Sequence, residues 1–452
     1  MDVRPQIGLR LKLTSGSHGK WQLSTGEKAK FGLPVPALLA AVDRLREVSM
    51  LDCLKLLHCH MGSQISDIQA INAGLTELSR TYVELRRLGA DLEYLDVGGG
   101  MAIDYDGSQS NSDFSANYGL GEYASTVVYL IMSVCDEADV ANPVIVTESG
   151  RAMVGHHSVL VTNVLGCHRV DRWSLDPAAA RAAVEELGNP RILVDLVDAL
   201  ESVSEDALLE AYHDGLAARD EALTHFQVGL LNLAGRGLAD VIFWSLCLDV
   251  VRLAQEADLP IPDELTELEL ELSDTYFCNM SVFQSLPDSW AIDQVFPIMP
   301  IHRLDEEPVR RATLADVTCD SDGKIDRFAD PVEDAAPVLP VHTLRDGEPY
   351  YLGVFLVGAY QETLGDFHNL FGDINFVHVR VDDDGRWSIE ELVEGDSVAE
   401  VLGYLEYDPR RLLQAIRRDA ERAVLADTMT VAEARELVES YESGLKGSTY
   451  LE

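Results

Sequence analysis

The first part of the chain alternates short apolar strands with amphipathic helices, and this alternation limits the possible folds more than any other feature. The strand-like stretches are IGLRLKL, CLKLLHCHMG, LEYLDVGGG and PVIVTES, and helical stretches such as DIQAINAGLTELSRTYVELRRLG separate them. Repeated β-α units of this length predict a parallel sheet, either open or closed into a barrel. A further strand, HSVLVTNVLGCHRV, is expected to continue the series. In barrels of this kind, chemistry is found where strands end.

The periodicity changes three times after this region. Residues 175–272 read as a helical insertion, residues 273–396 as short strands with turn signals at SDG and DDDG, and residues 397–452 as a helical tail. With residues 1–174 as the β-α region, the pattern predicts an α/β plus all-β protein of four segments.

The charge balance excludes several classes of partner. The net charge is −42, so the phosphates of a nucleic acid or of an anionic lipid surface would be repelled. A solvated acidic surface is the simplest interpretation, and enrichment of a cationic substrate is the alternative. The seven cysteines form no CxxC pair, the N-terminus does not read as a signal peptide, and no apolar run is long enough for a membrane span. These features predict a cytoplasmic protein with reduced thiols and no membrane partner.

Three consecutive glycines follow the third strand. Gly98, Gly99 and Gly100 could let backbone N–H groups close on an anion such as a phosphate, and a purely structural turn is the alternative. A dinucleotide fingerprint is excluded, because its last glycine position holds Ile103.

Two histidines end the second strand. Alternation places His58 and His60 on one face and Leu57 and Cys59 on the other. A strand-end histidine followed by Gly62 and Ser63 could stack on a planar ligand. Core packing is one alternative, and the other is a zinc site that also uses two later histidines, His156 and His157.

Polar residues also mark three later positions. Glu148 and Arg151 come just after a strand, where an ion pair within the protein is the alternative to a site. Cys319 lies in the acidic turn CDSDGKID, whose carboxylates suit a guanidinium or ammonium group; the flanking helices and later glutamate of a calcium EF-hand are missing. Tyr360 ends the strand GVFLVGAY and could reach a phosphate, with core packing as the default.

In this order the motifs resemble the barrel-type pyridoxal 5′-phosphate (PLP) decarboxylases of ornithine, diaminopimelate and arginine. Several stretches are most similar to the biosynthetic arginine decarboxylases: GKWQLSTGEKAKFGL, LLHCHMGSQI, LDVGGGMAIDYDGSQSNSDFSANYGLGEYA, TESGRAM, CDSDGKID and GVFLVGAYQETLGDFHNLFGD. The resemblance covers nearly the whole chain. It implies an incomplete, alanine-racemase-like (β/α)8 PLP barrel in residues 1–174, then a helical insertion, the end of the barrel with a β domain, and a helical tail.

The resemblance implies roles for individual residues. His60 would stack on the pyridine ring, and Glu148 would keep the ring nitrogen protonated. Cys319 of a neighbouring subunit would return a proton to the substrate carbon. The implied cofactor-binding residues are His60, Ser63, Gly98, Gly99, Gly100, Glu148, Gly150, Arg151 and Tyr360, with Cys319 and His60 as catalytic residues. The implied substrate-binding residues are Leu95, Asp96, Val97, Met101, Ala102, Ile103, Asp104 and Tyr105, with Asp320 or Asp322 for the guanidinium.

The activity implied is decarboxylation of L-arginine to agmatine and CO₂, the first step of a route to putrescine and spermidine. The resemblance also implies Mg²⁺, for which the sequence indicates no ligands, and a homodimer or higher homo-oligomer with shared active sites.

One part of the family pattern is missing. The family's PLP-binding lysine lies in a Tyr-Pro-x-Lys-Val context on the first barrel strand, and this chain has no such motif. Lys55 faces away from His60, and Lys28 and Lys30 lie in the loop GEKAKFG. The chain is therefore expected to start inside the barrel, to lack this lysine and to be inactive alone.

Three other functions stay open: a non-catalytic partner or regulatory subunit of a complete decarboxylase, a decarboxylase of another basic amino acid, and a zinc hydrolase on a barrel.

Overall fold

The computed structural model describes residues 4–14, 29–256, 263–332 and 335–451. The stretch GKWQLSTGEKAKFGL lies largely outside these ranges, as do Lys20 and Lys28. Among the helices described, none combines the length and the apolarity that crossing a membrane requires.

The predicted β-α region forms a four-stranded parallel sheet. Its strands, in spatial order, are β1 (Ile7–Arg10), β2 (Leu54–His58), β3 (Tyr94–Asp96) and β4 (Val144–Val146). Three helices connect them: α1 (Val35–Glu47), α2 (Ile68–Arg87) and α3 (Leu120–Glu137). Four parallel strands are half of the eight that close a barrel of this type. Because all four run in one direction, their carboxyl ends lie at one edge of the sheet.

The core of this region lies between the sheet and its three connecting helices, with α2 contributing many of the buried side chains. Leu57 and Leu95 are fully buried on neighbouring strands, and Leu75 and Leu78 pack against the same cluster from the helix. Helix α2 starts at a side-chain cap, since the Asp67 carboxylate accepts the N–H of Gln69 at 2.9 Å. This packing fixes the strand ends relative to one another.

The predicted helical insertion is present. It contains α5 (Pro177–Glu186), α6 (Arg191–Ser202), α7 (Leu208–Gln227), α8 (Leu233–Glu256) and α9 (Asp263–Glu271), after a one-turn helix α4 (Gly150–Val154) in the first region. These helices have a core of their own that includes Leu193, Leu196, Phe243 and Leu246.

A mixed sheet of seven strands combines one strand that precedes the insertion with six that follow it. It consists of β5 (Leu160–His168), β6 (Asp274–Cys278), β7 (Ile298–Pro300), β8 (Arg310–Ala315), β9 (Lys324–Ile325), β10 (Leu339–Val341) and β11 (Tyr351–Val354). The short helices α10 (Val282–Ser285), α11 (Pro287–Ile292) and α12 (Gln361–Leu364) border it. A separate hairpin, β12 (Phe376–Val381) with β13 (Trp387–Val393), leads to the tail helices α13 (Val398–Tyr404), α14 (Pro409–Leu425) and α15 (Val431–Lys446).

The structure confirms the α/β plus all-β architecture but corrects the place of β5. This strand was expected to continue the parallel series; instead it pairs antiparallel with β6 and β11 in the mixed sheet. The connection from β4 explains the difference, because its helical part is only the five-residue helix α4 and a three-residue 3-10 helix, Gly155–His157. A parallel crossover usually needs a helix long enough to cover the sheet. The four segment boundaries themselves stay predictions.

Candidate functional site

The loops that follow β2, β3 and β4 meet at the carboxyl edge of the parallel sheet. The Glu148 N–H donates to the Gly98 carbonyl at 2.9 Å, and the Gly99 N–H donates to His60 Nδ1 at 3.4 Å. As alternation predicts, Cys59 and Leu57 are fully buried in the core, on the face opposite His60. The structure therefore brings together His60, the glycine loop and Glu148.

The three glycines of this loop differ in backbone angle and in the space around them. Gly98 has φ +71° and Gly100 has φ +113°, a region that favours glycine. A Cβ on Gly98 would overlap the carbonyl oxygen of Cys59, and one on Gly100 would lie 2.6 Å from Ile65 Cδ1. Gly99 has no positive φ, and a Cβ on it would make only an ordinary contact, 3.5 Å from His60 Cε1. Two glycines are thus required by close packing, and the third lies beside the His60 ring.

The Arg151 guanidinium contacts three other side chains of the site. It is 6% exposed, and Nη1 donates to the Tyr105 hydroxyl oxygen at 2.9 Å. Its Nε and Nη2 both lie 3.3 Å from Ser63 Oγ, and the guanidinium carbon is 4.9 Å from the centroid of the Tyr360 ring. Among the described residues, Arg151 forms no ion pair with Glu148. A buried cation with a hydroxyl on each side and no carboxylate partner is suited to an anionic ligand.

Two residues near Arg151 have unusual backbone angles. Tyr360 has φ +72° and Ser149, directly before Gly150, has φ +38°. Positive φ is uncommon for such side chains, and it is enriched at ligand sites, where the fold holds the strain. Gly150 itself has open space where a Cβ would lie.

The protonation of the site follows from burial. Burial is the main factor that lowers the pKa of His60, and Arg10 acts in the same direction while Glu148 opposes it. His60 is therefore neutral at pH 7, and because Nδ1 accepts the Gly99 N–H, its proton is on Nε2. Burial also raises the pKa of Tyr105, despite the opposing effect of Arg151, so this phenol stays protonated.

The sequence reasoning did not single out Arg10. This arginine ends β1, in register with His58, and its guanidinium carbon lies 5.4 Å from the Phe31 ring centroid. It adds positive charge near His60. The signal in the sequence was a cation within the apolar strand IGLRLKL.

His58 lies in a cluster with two carboxylates. Ligand atoms of His58, Asp96 and Glu148 lie within 4.8 Å of one another, the one group of three potential metal ligands found among the described residues. Both Asp96 oxygens already face partners, since Oδ1 accepts the Gly98 N–H at 2.8 Å and Oδ2 lies 2.9 Å from His58 Nδ1. The zinc hypothesis needs His58 and His60 to lie close to His156 and His157. Among the described residues, these four histidines do not form a group of metal ligands, so the structure does not support a zinc site.

The segment expected to bind substrate is largely buried. The side chains of Leu95 and Val97 are fully buried in the core and are not available to a ligand. Ile103 is held from both sides by Gln64, which accepts its N–H at 3.0 Å and donates to its carbonyl at 2.6 Å. Ala102 and Tyr105 are also buried, Met101 is half-buried, and Asp104 accepts the Ser115 hydroxyl at 2.8 Å.

Cys319 lies apart from this cluster, in the turn between β8 and β9. It is exposed, and Asn369 holds it from two sides: the side-chain oxygen accepts the Cys319 N–H at 2.8 Å, and Nδ2 lies 3.3 Å from Sγ. Asp320 is 4.0 Å from His368 Nε2, and its Oδ1 accepts the N–H of Asp322 at 3.0 Å. Asn369 is a second residue that sequence reasoning missed.

We expect one fast-reacting thiol per native chain. Five of the seven cysteines are buried, Cys167 is half-buried and Cys319 is exposed, so Ellman's reagent should modify Cys319 first. Cys319→Ser should remove the fast phase, whereas Cys167→Ser should leave it intact. Asn369→Ala should accelerate it several-fold by freeing the loop, and an unchanged rate would contradict the positioning function of Asn369.

Comparison with known proteins adds three matches to family descriptions. Residues 2–155 match the family described as "Pyridoxal-dependent decarboxylase, pyridoxal binding domain". Residues 187–269 match "Arginine decarboxylase helical bundle domain", and residues 398–451 match "Arginine decarboxylase C-terminal helical extension".

Relatives match along the whole chain. A biosynthetic arginine decarboxylase of Thermosynechococcus vestitus is 48% identical over 451 residues, which are 100% of this chain and 69% of that protein. Biosynthetic arginine decarboxylase 1 of Synechocystis is 46% identical over 460 residues, covering 100% of this chain and 65% of its own length. The chain thus spans about two thirds of the length of these curated relatives.

Solved structures show the same relationship. The crystal structure of biosynthetic arginine decarboxylase SpeA from Campylobacter jejuni superposes with a TM-score of 0.82 at 31% identity, over 99% of this chain and 68% of the other. Diaminopimelate decarboxylase from Helicobacter pylori gives a TM-score of 0.50 at 13% identity, over 88% of this chain and 66% of the other, a likeness of fold alone.

Proposed function

The chain belongs to the biosynthetic arginine decarboxylases, and from this premise we propose that it serves the PLP-dependent decarboxylation of L-arginine to agmatine and CO₂. The product would enter a route to putrescine and spermidine. The observation that carries the proposal is the buried Arg151, which lies between two hydroxyl groups and has no carboxylate partner among the described residues.

The residues of the site fit PLP. The phosphate would be held by Arg151, Ser63 and Tyr360, next to Gly150 and the backbone of residues 98–100, since a buried guanidinium is a strong donor to anions. Neutral His60 would lie against the pyridine ring, and Glu148 would pair with the ring nitrogen. When bound, PLP supplies an electron sink for the carbanion that remains after loss of CO₂.

Cys319 and its acidic neighbours complete the proposal. Cys319 would donate the proton that the substrate carbon takes up, and Asp320 or Asp322 would contact the guanidinium of arginine. Because Cys319 contacts Asn369 rather than the Arg151 cluster, we propose that it serves the site of a second subunit. This implies a homodimer or a higher homo-oligomer with shared active sites. The free thiols fit a cytoplasmic location.

The covalent anchor of PLP is not evident among the described lysines. The hydrogen bonds that Lys55 donates to Asp91 and Glu93 raise its pKa, which keeps it a cation and unsuited as a nucleophile. Lys324 pairs with Asp326, Lys446 with Glu442, and Lys30 lies over the Phe31 ring. The fifth described lysine, Lys12, is half-buried just after β1 and also has an interaction partner. We therefore propose that this chain alone binds the cofactor without a covalent bond and is inactive alone.

Mg²⁺ does not fit the described residues. The one candidate cluster, His58 with Asp96 and Glu148, offers a nitrogen ligand, whereas Mg²⁺ prefers six oxygen ligands. Glu148 is also the residue proposed for the pyridine nitrogen. No step of the reaction is assigned to a metal.

The test is a comparison of binding and turnover. Equilibrium dialysis should show one PLP bound per chain, and borohydride treatment should leave the mass of the chain unchanged. Addition of a separate segment that carries the Tyr-Pro-x-Lys strand should give agmatine from L-arginine, with little product from L-ornithine or L-lysine. Absence of PLP binding would overturn the proposal, and preference for ornithine or lysine would overturn the choice of substrate. Binding without turnover after addition would instead favour a regulatory subunit.

A further inference from the structure

The hairpin of β12 and β13 is exposed on both of its faces. Every residue of β13 is exposed, as are all residues of β12 except the first, Phe376. An isolated two-stranded hairpin is only marginally stable in water and normally needs a covering layer. The exposure of this hairpin therefore needs an explanation.

The two faces of the hairpin differ in chemistry. Three cross-strand pairs on one face are entirely apolar, and their six side chains are between 48% and 71% exposed: Val377 with Leu392, Val379 with Ile389, and Val381 with Trp387. The pairs between them, on the other face, are polar: His378 with Glu391 and Arg380 with Ser388. The alternation thus separates an uncharged apolar face from a charged one.

We propose that this apolar face is a contact between two copies of the chain. The face carries no charge, so two copies can stack without bringing like charges together, although each copy has a net charge of −42. That net charge also makes nucleic acid and anionic lipid poor occupants. A two-fold axis that passes between Val379 and Ile389, the central pair, would stack this face on the same face of the other copy.

The available area is sufficient for a specific contact. The six half-exposed side chains offer roughly 500 Å² per copy, and burying both faces reaches the ~1,000 Å² that a specific interface needs. Trp387, the most exposed of the six at 71%, is the kind of residue that dominates interface energies. The inference goes beyond a homo-oligomer in general, because it names the surface, and its test does not depend on decarboxylation.

The test compares two neighbouring positions on opposite faces. Ile389→Lys should raise the dissociation constant of self-association at least ~100-fold in sedimentation equilibrium, because it buries an unpaired charge. Ser388→Lys adds the same charge to the polar face and should change the constant less than ~3-fold. Equal constants for both variants, or a monomeric parent chain at all concentrations, would overturn the proposal.

Cross-linking keeps the proposal testable if Ile389→Lys fails to fold. In a Cys319→Ser background, Val379→Cys should give a covalent dimer with a short bismaleimide, and Ser388→Cys should remain a single chain on denaturing gels. Equal dimer yields, or no dimer with either variant, would count against the apolar face as the contact.

Discussion

Replacement of Arg151 with methionine is expected to weaken the binding of pyridoxamine 5′-phosphate by about 100-fold or more. This ligand has no aldehyde, so its affinity does not depend on any lysine. Arg151 is buried between Tyr105 and Ser63, and methionine has a similar length but no donors. Loss of two charge-assisted hydrogen bonds to a phosphate, at about 1.5–3 kcal/mol each, accounts for the size of the effect. The measurement is a fluorescence titration of the cofactor.

Two controls separate phosphate binding from folding. Tyr105→Phe keeps the cation but removes the hydroxyl that Nη1 contacts, so a smaller loss of about five-fold is expected, equivalent to about 1 kcal/mol. Pyridoxamine without its phosphate should bind the parent chain and Arg151→Met equally well. If Arg151→Met weakened both ligands to the same extent, the arginine would be a structural residue and the proposed phosphate site would be wrong.

The order of β-α units made the carboxyl edge of the sheet predictable. Strand alternation in LHCHMG correctly separated His60 from Cys59, because neighbouring side chains in a strand must point to opposite faces. The convergence of residues 60, 98–100, 148 and 151 then follows from parallel strands ending at one edge.

Other features depend on contacts between distant parts of the chain, which local patterns do not encode. The Tyr105 hydroxyl reaches Arg151 from 46 positions away, and Asn369 reaches Cys319 from 50 positions away. The place of β5 was likewise decided by its partners β6 and β11 and by the short connection before it. Arg10 was missed because a cation in a strand usually indicates only an exposed face.

Substitution of Gly98 by alanine is expected to destabilise the loop locally by about 3 kcal/mol. Because local opening then becomes easier, amide exchange in the loop should accelerate roughly 100-fold. The new Cβ would overlap the Cys59 carbonyl oxygen, which is rigid backbone, and alanine disfavours a φ of +71°. The probes are the N–H groups of Cys59 and Glu148, which bond to Asp96 and Gly98 across the neighbouring strands. Hydrogen exchange read by mass spectrometry reports this opening without requiring the whole chain to unfold in one step.

Gly99→Ala is the matched control, one residue further along the same loop. Its Cβ would make an ordinary contact with His60 Cε1 at 3.5 Å, and Gly99 does not have the positive φ of its neighbours. Exchange at Cys59 and Glu148 should therefore change less than about two-fold, since nothing in the backbone has to move. Because this Cβ occupies the space beside the His60 ring, the affinity for pyridoxamine 5′-phosphate should fall several-fold instead. If both alanines accelerated exchange equally, the loop would be a uniform structural turn, and the distinction between packing glycines and a ligand-facing glycine would be lost.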